Sequence, residues 1–239
     1  MAKIHFLNVG QGDCTIIEHA NGNLTMIDIN NGEELDNDST DAILKACTRN
    51  SAEYLERWSL WKLYGASGRA VLAEAGYDME LTNPIKFLQE NYPGQSIFRY
   101  VQTHPDFDHM RGLAALEDSG IDVVNFWDID HSRQWDEDRD RESDRPDWDA
   151  YQRYRSGRSP KVLNLYRGST GKYYNQNENG EPGGNGLHIL SPTAELVSEF
   201  DEDGKRNELS YVFQYKIVNR TIIFGGDAEQ AAWESIHEH

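Results

Sequence analysis

Over the first thirty residues, short apolar runs alternate with turn residues. Residues 4–9 (IHFLNV), 14–18 (CTIIE) and 24–29 (LTMIDI) are rich in β-branched and aromatic side chains. They are separated by Gly10-Gln11-Gly12-Asp13 and by Asn21-Gly22, the punctuation of strand turns. The pattern predicts an antiparallel meander. From 33 to 80 the period changes. Residues 41–46, 52–63 and 69–75 place apolar side chains at helical spacing, with Trp58 and Trp61 three apart on one face. This predicts a mainly helical insertion.

Asn83-Pro84 then starts a short helix, with proline in its first turn. A strand is expected at 97–101, a helix at 112–117 and a strand at 121–129. Residues 130–186 are charged, then rich in Gly and Asn, and read as an elaborated loop with little regular structure. Strands at 187–190, 210–218 and 221–224 and a helix at 228–237 complete the chain. Strands at both ends with helices between them predict an α/β layered architecture around two sheets. The helical and acidic stretches read as insertions into a single domain spanning 1–239.

The charge balance narrows the function classes. The chain holds 23 Lys and Arg against 41 Asp and Glu, a net charge of −18. Such a surface repels nucleic acid unless charge is segregated or metals neutralise it locally. From Asp130 to Asp149 there are nine acids and four arginines, so this stretch alone contributes −5. Cys14 and Cys47 are too few for a disulfide framework or a Cys-based zinc site. No apolar run approaches a membrane span, and the N-terminus enters a strand without a signal-like segment. A soluble, cytoplasmic protein with no membrane association is expected.

The chemistry concentrates in Thr103-His104-Pro105-Asp106-Phe107-Asp108-His109. Four candidate ligands lie within six residues, directly after a strand. In a near-extended loop His104 and Asp106 point the same way, and a turn at Asp108-His109 can direct the next pair to a second point. Imidazole with carboxylate suits zinc, manganese or iron. Asp227 follows the strand 221–224 through Gly225-Gly226, which lets the backbone turn tightly. Asp28 sits inside an otherwise apolar strand, where an uncompensated carboxylate is costly, so it needs a partner.

These residues resemble a known family. HPDFDH is similar to the His-x-His-x-Asp-His signature of the metallo-β-lactamase superfamily, with Asp106 in place of the second histidine. That variant resembles the branch containing the C-terminal domain of the ComEC DNA-uptake protein. FLNVGQGDCTIIE (6–18) is similar to that branch's opening hairpin, and MIDIN (26–30) to its first acidic motif. LHILSP (187–192) and the segment from Asn207 through Ser210 resemble the strands before the next motif, and IIFGGDAE (222–229) resembles its Gly-Asp motif.

The resemblance implies an αββα sandwich holding two divalent ions, zinc or manganese. It implies that His104 and Asp106 hold the first ion, that Asp108 and His109 hold the second, and that Asp227 bridges them. Asp108 and Asp227 are then the residues closest to catalysis. Asp28 orients a ligand histidine from behind, and Asp13 lies near the mouth. Asn207 and Ser210 fall where other members carry a further metal histidine, so the first site is expected to be ligand-poor. The family's later strand, helix and His-His-Gly ligand have no counterpart between Asp227 and His239. His237 and His239 lie in or after a helix instead. A C-terminal extension or a protein partner is therefore expected to complete the site, and the chain alone to be feeble or inactive.

The implied function is a metal-dependent phosphodiesterase or nuclease acting on nucleic acid or a nucleotide. The alternative is a non-catalytic subunit serving as a protein-interaction scaffold. Hydrolysis of a lactam, thioester or lactone is a third reading, because fold does not fix substrate.

Overall fold

The computed structural model describes residues 2–31, 35, 37–77, 80–175, 184–217 and 219–238. Parts of both expected insertions (33, 34, 36, 78, 79 and 176–183), together with Val218 and His239, lie outside the described residues. In chain order the elements are β1 (Lys3–Phe6), β2 (Thr15–Glu18), β3 (Leu24–Ile27), α1 (Asn37–Cys47), α2 (Ser51–Lys62), α3 (Gly68–Glu74), α4 (Pro84–Asn91), β4 (Ile97–Val101), α5 (Leu113–Asp118) and β5 (Val123–Asp128). There follow α6 (Arg145–Ser156), β6 (Lys161–Asn164), β7 (Leu187–Ser191), α7 (Ala194–Glu202), β8 (Val212–Ile217), β9 (Arg220–Phe224) and α8 (Gln230–His237).

The class is mixed α/β, with two sheets among the described residues. The larger runs β1-β2-β3-β4-β5-β6 and the smaller β7-β8-β9. β1 to β3 form the expected antiparallel meander, while β3 to β6 pair in parallel. Strand alternation divides the large sheet into two apolar faces. One row (Ile16, Met26, Tyr100, Phe126) joins residues of α4, α5 and α6 in one core. The opposite row (Ile27, Val101, Trp127) packs on Leu187, Ile189, Phe213 and Phe224 of the small sheet. Trp127 meets Phe213 with ring centroids 5.9 Å apart. The parallel strands β3, β4 and β5 therefore end together between two packed layers, and the candidate ligands follow from those ends.

The helices α1, α2 and α3 pack on one another around Leu44, Val71 and Leu72, with Trp58 and Trp61 partly buried against them. The Asn50 side chain caps α2 by accepting from Ala52 N and Glu53 N, both at 3.0 Å.

Residues 130–186 require a correction. The expected loop with little regular structure contains α6 and β6, and β6 extends the large sheet beside β5. Trp148, Tyr151 and Tyr154 recur every third residue and are buried, so α6 has an apolar face beneath its charges. High charge density concealed that face in the linear pattern.

Candidate metal centre

The site is assembled at the ends of β3 and β4. After β3 the backbone turns into the left-handed region at Asp28 (φ 55°), a conformation Asp tolerates better than most residues. Asp28 N bonds Val101 O at 2.9 Å, and Ile29 N bonds His109 O at 3.0 Å. The loop after β4 is tied in turn by the Gln102 amide, which donates to His104 O at 2.8 Å and to His109 O at 3.1 Å. Phe107 to His109 form a single 3-10 turn. The opening glycine loop leans on this turn, since a Cβ at Gly12 (φ 113°) would lie 2.1 Å from Asp108 O. Gly226 performs the same service for the Asp227 loop, where a Cβ would meet Thr103 Cβ at 3.1 Å.

Hydrogen bonds define the histidine tautomers. Asp28 is fully buried and accepts from Thr103 N (2.7 Å), Thr103 Oγ1 (2.6 Å) and His109 Nδ1 (2.8 Å). Because the Thr103 hydroxyl gives its proton to Asp28, it accepts from His104 Nδ1 at 3.1 Å. Both imidazoles are thus held by Nδ1–H, and both Nε2 atoms face the same space. His104 Nε2 is buried without a hydrogen-bond partner among the described residues. His109 Nε2 lies 3.3 Å from Asp227 Oδ1. One potential ligand atom each from His104, His109 and Asp227 lie within 4.8 Å of one another.

Asp106 and Asp108 stand one step further out. Asp106 Oδ2 is 3.7 Å from His104 Nε2, and Asp108 Oδ2 is 3.9 Å from His109 Nε2. Asp106 Oδ1 faces two guanidinium groups, Arg133 at 3.3 Å and Arg206 at 3.9 Å. Asp13 is exposed, and groups with Asp28 and His109 within the same 4.8 Å limit. The Asn207 amide donates to Glu229 Oε1 at 3.0 Å, a partner outside the cluster. Ser210 is fully buried, and its hydroxyl finds no partner among the described residues. His237 ends α8, exposed, and His239 lies outside the described residues. His5 bonds the Tyr92 hydroxyl at 2.9 Å, and His188 lies on β7.

The electrostatics follow from this packing. His104 is held neutral, down to about 3, by burial and then by the neighbouring His109. Burial also opposes a charge on His109, but Asp28 and Asp227 outweigh it and raise that group to about 11. Burial raises Asp28 and Asp106, with His109 countering at the former and Arg133 at the latter. The hydrogen bond from His109 lowers Asp227. His104 Nε2 offers a lone pair, and His109 Nε2 offers one once an ion displaces the proton it shares with Asp227. With three carboxylates beside them, they form a donor set that suits zinc or manganese. The buried, unpartnered Nε2 of His104 fits such an occupant.

Beside the cluster lies a cleft of about 900 Å³. Its lining includes Asn30, Asp108, Arg111, Arg133 and Arg141, together with Asn37 at the start of α1. Residue pattern alone did not point to Thr103, Gln102, Arg133 or Arg206. Thr103 directly precedes the first ligand candidate, which was a usable signal. Arg133 was hidden among acids, and only the aromatic Trp135 and Trp148 around it hinted at a buried setting.

A scan against protein-family models finds no match to this chain, and a search of curated proteins finds none.

Proposed function

We propose that this chain is a divalent-metal-dependent hydrolase of phosphodiesters, built on a metallo-β-lactamase-like αββα plan. The observation that carries the metal part is the pair of imidazoles held through Nδ1, with His104 Nε2 buried and unpartnered beside Asp227. His104 and Asp106 would hold one ion, Asp108 and His109 a second, and Asp227 would reach both. Such ions supply acidification of a water near neutral pH and neutralisation of substrate charge. Asp28 keeps the His109 proton on Nδ1, and Thr103 does the same for His104. Arg111, Arg133 and Arg141 line the cleft beside Asp38, Asp106, Asp108 and Asp144. Arg111 is paired with Asp144, and Arg133 with Asp106 and Asp140, so neutralising an anionic substrate would fall to the bound ions. The motif resemblance supports phosphorus as the attacked atom.

Elemental analysis of purified protein, with His104→Ala and Asp227→Ala beside it, tests the metal assignment. A panel of single-stranded DNA, duplex DNA, RNA, cyclic nucleotides and a chromogenic lactam, with added manganese or zinc, tests the reaction. Metal-dependent phosphodiester cleavage that Asp227→Ala abolishes is the expected result. Lactam turnover without phosphodiester turnover refutes the substrate class.

One observation favours the non-catalytic reading. Asp106 is already met by two arginines and Asp227 by His109, so the cluster is compensated by its own charges. A metal content near zero in the folded protein, under metal-replete conditions, decides for a scaffold.

A further inference from the structure

We propose that Arg133 is a positioning residue that turns Asp106 into a single-oxygen metal ligand, a stand-in for an imidazole. The proposal rests on the reading that Asp106 binds an ion. A free carboxylate offers two equivalent oxygens and a full negative charge, so it can chelate through both. Here the two oxygens are sorted. Arg133 Nη1 takes Oδ1 at 3.3 Å, and Arg206 approaches that same oxygen at 3.9 Å. Oδ2 is left facing His104 Nε2 at 3.7 Å. One donor atom of fixed direction and reduced charge is what a histidine would present at that position.

Arg133 is itself held on every side. Its side chain is only 6% exposed. The second arm of the guanidinium pairs with Asp140 Oδ1 at 3.0 Å. Its Cζ lies 4.7 Å from the Phe107 ring centroid and 5.1 Å from the Trp148 ring centroid, an aromatic slot between the ligand loop and α6. Its backbone is tied as well. Arg133 N donates to His131 Nδ1 at 3.1 Å, so His131 Nε2 carries its proton to the Tyr151 hydroxyl at 2.6 Å. That hydroxyl donates to Asp128 Oδ1 at 2.6 Å, at the end of β5. The fork of a guanidinium can serve Asp106 and Asp140 together while stacking, which an ammonium cannot. The acidic segment after β5 therefore contributes a working part of the centre, and its Arg133 is anchored to the sheet.

The test compares metal preference. Zinc and manganese affinities are measured by chelator competition on the wild type and Arg133→Met, whose side chain keeps the apolar stem in the aromatic slot. Freed of Arg133, Asp106 becomes a harder, two-oxygen ligand, so the manganese-to-zinc affinity ratio rises by about tenfold. The visible spectrum of the cobalt-loaded variant weakens as coordination number increases. In an Asp106→His background the same Arg133→Met change moves the ratio by less than about twofold, because the two residues act as one unit. Asp140→Asn loosens Arg133 from its far side and shifts the ratio in the same direction, which keeps the test open if Arg133→Met fails to fold. Metal binding by the wild type with ratios unchanged in the folded variants overturns this proposal alone. Absence of metal binding by the wild type overturns the metal reading and this proposal together.

Discussion

Asp28→Asn is the sharpest probe of the centre, because it changes one oxygen to nitrogen where no solvent reaches. The backbone at this position is left-handed, and Asn accepts that conformation, so the fold tolerates the exchange. The carboxylate accepts three hydrogen bonds, two of them on Oδ2 from Thr103 Oγ1 at 2.6 Å and His109 Nδ1 at 2.8 Å. With the Asn carbonyl kept on Thr103 N, the new NH₂ faces both of those donors. The threonine hydroxyl can rotate to accept. The imidazole can respond only by moving its proton from Nδ1 to Nε2, which removes the lone pair offered to an ion. Lost partners behind a ligand histidine weaken metal binding about 10–100-fold, or about 1.4–2.7 kcal/mol. Hydrogen bonds to a charged group are worth about 1.5–3 kcal/mol each, but removing a buried charge offsets part of that, so folding stability falls by about 1–3 kcal/mol. Isothermal titration of zinc into wild type and Asp28→Asn, with a urea midpoint for each, separates the two effects. Wild-type metal affinity in a folded Asp28→Asn protein would refute the tautomer argument.

Three further outcomes are expected. His19 is buried and held neutral, down to about 3, by burial and then by Arg99, so the unfolded chain takes up a proton below about pH 6.5 that the folded chain does not. Stability therefore falls on acidification through that window, by about 2 kcal/mol between pH 7 and 5 for this group, and His19→Gln should flatten the pH dependence of the urea midpoint by that amount. An unchanged pH profile would count against it. His131, pushed down to about 2 by burial, acts in the same direction, while the neighbouring Asp128, raised by burial to about 6, opposes it over part of the range. Gly12→Ala forces a Cβ onto the Asp108 carbonyl at a backbone angle L-residues avoid, and should cost about 2–4 kcal/mol in thermal or chemical unfolding. Tyr211→Phe removes the hydroxyl that accepts from Leu165 N and donates to Asp128 O, both at 2.9 Å, and should cost about 1–3 kcal/mol, because Leu165 N loses this partner and Asp128 O keeps only the weaker Asn164 amide at 3.2 Å.

Local pattern was enough for much of this protein. Glycine punctuation and alternating β-branched residues marked the opening meander, helical spacing marked α2 and an Asn-Pro start marked α4, because those signals act over a few residues. The density of His and Asp directly after a strand marked His104 to His109 as the chemical centre, and a lone carboxylate in an apolar strand marked Asp28 as needing a partner. Only the tertiary structure decided who that partner is. Asp28 and His109 are far apart in the chain and meet because parallel pairing of β3 and β4 ends both strands at one level. The proton positions on His104 and His109 follow from that meeting. Charge concealed α6, whose aromatic face has meaning only against the sheet it covers. Arg133 was equally concealed. Among nine acids it reads as one more solvated charge, and it acquires a role because α6 and the ligand loop close an aromatic slot around it and leave it Asp106 and Asp140 to bind. Residue types alone can state what a side chain is able to bind, whereas which oxygen of Asp106 is taken and which is left is a matter of three-dimensional packing.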